Sequence, residues 1–234
     1  MIITRQEVVP DFSATRDDFV LEVTRDENAD NPRSWDNVGT IVSWNAHTRF
    51  GDKTINEQYQ FELVLLGILN DSMNLSDSQY ENIMEFANAD VLYAAIKKHT
   101  KAALLPVYLY DHSGISISTC SRKFSMFDPA RWDWGISGII YCTESKIKKE
   151  YDVSEVTDET RKKAEDALRQ EIKTLDMYFS GDVYEYTLQQ GEEILDSCSG
   201  IYGEGLDELK KELKGVLSAE YHDLIENLKA CEYP

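Results

Sequence analysis

The sequence predicts an α+β fold, a mixed or antiparallel sheet packed by helices, and three observations lead there. Segments of period-two alternation recur along the chain, which marks half-buried strands. Between them lie stretches in which apolar residues return at helical spacing. The two kinds follow one another without a regular strand–helix–strand rhythm, which argues against a doubly wound parallel sheet. With 234 residues, 42% of them hydrophobic, the chain can bury a substantial core as one large domain or two small ones.

Asp18 to Thr24 places Phe19, Leu21 and Val23 on one face and predicts a strand. The polar run Asp26 to Pro32 predicts a loop, Val38 to Trp44 a further strand, and Asn45 to Lys53 a polar connection. From about Lys53 to Thr100 the period becomes helical. Ile55, Tyr59, Leu63, Leu66 and Leu69 form one stripe, and Tyr80, Ile83, Met84, Ala87, Val91 and Ala95 a second. Ser76 with Gln79 three positions on predicts a capping box. Leu104 to Tyr110, Ile115 to Cys120 and Ile136 to Cys142 predict strands, with a turn at Ser113-Gly114.

A long amphipathic helix follows, with Thr157 as N-cap, Asp158 and Glu159 in its first turn, and Ser180-Gly181 as its stop. Ala164, Leu168, Ile172, Leu175 and Phe179 are its core face. Val183 to Leu188 and Ile194 to Cys198 predict a hairpin around a five-residue loop, Gln189 to Glu193. Leu206 to Leu228 is helical, broken near Gly215, with Ser218 able to cap the second piece. The expected organisation is a core domain of residues 1–52 and 101–234 with an acidic helical insertion at 53–100.

The charge is one-sided. Asp and Glu number 43 against 24 Lys and Arg, a net of −19. Residues 1–100 hold 17 acids and 8 bases, and residues 101–234 hold 26 and 16, so a folded body presents the field rather than a tail. Such a body is a poor ligand for a nucleic-acid backbone, which calls for a basic patch. It suits a basic groove of the kind that holds nucleic acid. The 25 aromatic residues argue against disorder. The longest apolar run, Phe61 to Leu69, carries Glu62 and is too short for a membrane span. Acids rather than an apolar segment follow Met1 to Arg5, which argues against secretion. Cys120, Cys142, Cys198 and Cys231 form no CxxC pair and are expected to be reduced thiols in a cytoplasm.

The densest reactive cluster is Tyr110-Asp111-His112-Ser113-Gly114, followed by Cys120. One alternative is a small hydrolase, with His112 as base, Asp111 as orienter and Ser113 or Cys120 as nucleophile. The simpler reading is a turn in which Asp111 and Ser113 bond the backbone. A metal site from His112, Cys120, Cys142 and a carboxylate lacks close ligand pairs. His47, His99 and His222 stand alone in polar segments. The glycine-rich Gly200 to Gly205 lacks the Lys and Ser or Thr of a P-loop, leaving a weak anion site at a helix start. No cofactor and no metal are expected. The loop Phe124 to Gly135 gathers Phe124, Met126, Phe127, Trp132 and Trp134, either as core or, at Trp132 and Trp134, as a partner contact.

Several blocks resemble a family of accessory proteins of bacteriophages and integrative mobile elements. They are Asn31-Pro32-Arg33-Ser34-Trp35-Asp36-Asn37-Val38-Gly39-Thr40 and Leu105 to Thr119, whose run Tyr110 to Ser118 is the most distinctive. Trp134-Gly135-Ile136-Ser137-Gly138-Ile139-Ile140-Tyr141, with the Lys-rich stretch to Tyr151, is another. Ser180-Gly181-Asp182-Val183-Tyr184 and Asp196-Ser197-Cys198-Ser199-Gly200-Ile201-Tyr202-Gly203 complete roughly half the chain. The resemblance brings no established chemistry, so no catalytic residue is carried over. It implies an accessory gene, and by analogy of context an antagonist of host restriction or CRISPR systems. The expected function is therefore non-enzymatic inhibition of a host defence nucleoprotein complex by an acidic surface in a basic channel. Asp71, Asp77, Glu81, Glu85 and Asp90 are the candidate surface. A structural phage protein without a defence target is the remaining alternative.

Overall fold

The computed structural model describes residues 10–44, 48–112 and 114–231. In chain order the strands and helices are β1 (Phe12–Arg16), β2 (Phe19–Arg25), β3 (Thr40–Ser43), β4 (Lys53–Thr54), α1 (Gln58–Met73), α2 (Asp77–Phe86) and α3 (Ala89–His99). Then come β5 (Ala103–Asp111), β6 (Ile115–Ser118), α4 (Arg122–Ser125), β7 (Trp134–Cys142), α5 (Glu144–Glu150) and α6 (Asp158–Ser180). The chain closes with β8 (Val183–Gln190), β9 (Glu193–Tyr202), α7 (Gly205–Val216), α8 (His222–Glu226) and β10 (Lys229–Ala230). The fold is α+β.

The chain forms two compact units, residues 1–31 with 177–234, and residues 32–176. The first holds an antiparallel sheet in the order β10-β1-β2-β8-β9. Leu21, Val23, Tyr184, Tyr186 and Leu188 project from one face into a core with Leu209 and Leu213 of α7 and Leu224 and Ile225 of α8. The β8–β9 connection is tighter than the expected five residues. Gln190 pairs with Glu193, and Gly191, at φ 60°, supplies the left-handed conformation that a two-residue turn needs. β10 is absent from the sequence reading, because two residues carry no periodicity.

The second unit holds a sheet in the order β4-β3-β7-β5-β6, antiparallel except for the β3–β4 pair. The helical segment 53–100, set apart by its composition, shares this unit's core. Leu65, Leu66, Ile68 and Leu69 of α1 and Leu92 and Ile96 of α3 pack with Val42, Leu104 and Ile139. Ala164, Leu168, Ile172 and Leu175 of α6 are also buried, whereas Phe179 is partly exposed. Gly39 allows close approach here, since a Cβ would lie 2.6 Å from Leu168 Cδ2 and 2.7 Å from Ile140 Cδ1.

Two helical phases differ from expectation. Tyr59 is exposed and Leu65 and Ile68 are buried, because residues 61–69 are apolar on nearly every side and burial is decided by what surrounds them. The stripe from Tyr80 to Ala95 is two helices. Ala87 leaves the helix, and Asn88 starts α3 by accepting a hydrogen bond from Val91 N at 3.0 Å. Val91 is accordingly exposed. The break near Gly215 is present at Leu217, but Ser218 makes no capping bond and its hydroxyl donates to Glu220.

Candidate functional site

The acidic candidates lie along α2 and at the start of α3. The box at Ser76 forms as its residues dictate: Ser76 Oγ accepts from Gln79 N, and Gln79 Oε1 accepts from Ser76 N at 3.0 Å. This sets the phase of α2, so Asp77, Glu81 and Glu85, four residues apart, share one face about 6 Å apart along the axis. All three and Asp90 are exposed. Among the described residues none of the four carboxylates has a hydrogen bond or an ion pair. No Lys, Arg or His occurs between Lys53 and Lys97.

Asp77 and Asp90 occupy first helical turns, where a carboxylate complements the helix dipole. Glu81 and Glu85 have no such role. Each sits one turn after another acid, and Glu85 lies in a last turn without a base. Like charges at this spacing cost about 0.2–0.5 kcal/mol per pair. The stripe therefore opposes the helix that carries it. Phe86, 79% exposed, and Val91, also exposed, are the chain neighbours of Glu85 and Asp90. Sequence reasoning missed both; Asn88, which breaks the helix and turns Val91 outward, was the available signal.

Asp71 has a different position. Its carboxylate accepts from Ser145 N at 2.9 Å and from Ser145 Oγ, which holds the start of α5. It is exposed but engaged within the fold.

The aromatic loop separates its two tryptophans. Trp134 is buried, edge-on to Tyr108 at 5.9 Å and 6.2 Å from Phe124, and Phe124 stacks on Tyr110 at 5.8 Å. Its indole donates to Asp128 O at 2.7 Å. Trp134 is thus core, not an exposed contact. Trp132 is 86% exposed, and Met126 and Phe127, earlier in the same loop, are exposed as well.

The turn at Asp111 and His112 shows no nucleophilic arrangement among the described residues. His112 Nδ1 faces Asp133 Oδ2 at 3.0 Å, not Asp111. Cys120 follows one end of β6 and His112 precedes the other, with about 10 Å of strand between. Ser113 and His47 lie outside the described residues. The glycine-rich segment also has a packing role. A Cβ on Gly203 would lie 2.7 Å from Leu209 Cα, and Glu208 accepts from Glu204 N at 3.2 Å, placing the protein's own carboxylate at the start of α7.

A polar recess of about 590 Å³ is lined by Arg49, Gly51, Asp52, Thr54 and Asn56. Asp52 there is engaged by Arg33, through Nε at 3.0 Å and Nη2 at 2.7 Å. No group of three or more His, Cys, Asp or Glu among the described residues is placed to hold a metal ion. No helix among them is long and apolar enough to cross a membrane. No family model, curated protein or solved structure matches the chain.

Proposed function

We propose that this protein is a non-catalytic antagonist of a host defence nucleoprotein complex, laying its acidic α2–α3 face into a basic groove that otherwise holds nucleic acid. The observation that carries this reading is the pair Glu81 and Glu85, exposed, unpartnered and set against the stability of their own helix. Residues that break a local rule without a structural return are where function is sought. Carboxylates at a helical repeat present acceptors for the planar fork of Arg and for Lys. Phe86 and Val91, both exposed, add apolar surface next to Glu85 and Asp90 in the chain. The phage or mobile-element setting, and with it the cytoplasm of a bacterial host, rests on the resemblance of the blocks quoted above.

The test is association with the host partner recovered by co-purification, measured at two salt concentrations. Wild type is expected to weaken steeply as salt rises. The combined change Asp77→Lys, Glu81→Lys and Glu85→Lys slows association far more than any single one, because the field is collective. Equal binding by the variant, with no salt dependence, overturns the proposal.

A further inference from the structure

We draw no further inference here: the strongest candidate, the polar recess at β4 lined by Arg49, Gly51, Asp52, Thr54 and Asn56, carries nothing, because its one carboxylate, Asp52, is already held by Arg33 and the Ile41 amide and nothing in the structure shows what would occupy it.

Discussion

Glu171 Oε2 accepts a hydrogen bond from Arg33 Nη1 at 2.8 Å, joining positions 138 apart in sequence. The same carboxylate accepts from Val38 N at 2.7 Å and Gly39 N at 3.0 Å, while Arg33 also grips Asp52 and donates to Gly39 O at 2.9 Å. The Arg33 side chain is 10% exposed and that of Glu171 14%. Part of the Asn31–Thr40 segment is therefore held by a fold-building network.

Arg33→Ala should destabilise the protein by about 3–5 kcal/mol, because it leaves the largely buried Glu171 carboxylate without its cation. Arg33→Lys should recover only part of this, since an ammonium cannot repeat the two-pronged bond to Asp52. Urea unfolding read by far-UV circular dichroism measures both. A loss below about 0.5 kcal/mol, the range of neutral surface changes, would contradict the network's role.

Leu168 is fully buried where α6 meets Gly39. Leu168→Ala should cost about 2–5 kcal/mol through lost burial and the cavity left behind. Phe179→Ala should cost less, because that side chain is partly exposed. Equal losses at the two positions would mean that the described burial is wrong.

The cysteines should separate by reactivity. Cys120 is exposed and Cys142 buried, and burial pushes the Cys142 thiol up to about 12 from its ordinary 9.0. A water-soluble thiol reagent at neutral pH should modify Cys120 quickly and leave Cys142 untouched until the protein unfolds. Since the folded value lies above the unfolded one, the stability that Cys142 contributes is complete below pH 9 and is lost as pH rises toward 12. Rapid labelling of Cys142 in native protein, resolved by peptide mass, would count against this burial.

Glu81→Gln and Glu85→Gln should raise stability slightly, by about 0.2–0.5 kcal/mol each, by relieving repulsion along α2. The melting temperature, followed at low salt, is the readout. A lower melting temperature in either variant would show that these carboxylates serve the fold, removing the main support for a binding role.

Local chemistry made much of this legible. The box at Ser76 and Gln79 and the cap at Thr157, whose Oγ1 accepts from Thr160 N at 3.1 Å, depend only on residues three positions apart. The stop at Gly181 is equally local. With φ 72°, Gly181 donates to Tyr178 O at 3.3 Å and Asp182 to Met177 O at 2.8 Å, closing the last turn. The α6 face up to Leu175 follows from periodicity, because one side of that helix is polar throughout. The first stripe in α1 was not legible, because an almost wholly apolar run carries no phase.

The sequence by itself determined the α+β class, the caps and stops of the main helices, and a negative field without a basic counter-patch along 54–96, since each follows from composition or short-range spacing. Only the tertiary structure decided how the chain divides, pairing β1 with β10 and closing residues 10–31 into a sheet with residues 183–230. It also decided which tryptophan is core. Trp132 and Trp134 lie two positions apart in one loop and carry the same side chain, yet Trp134 meets Tyr108 and Phe124 while Trp132 meets solvent. The physical reason is that burial belongs to the surfaces that enclose a side chain, and those surfaces come from residues distant in sequence.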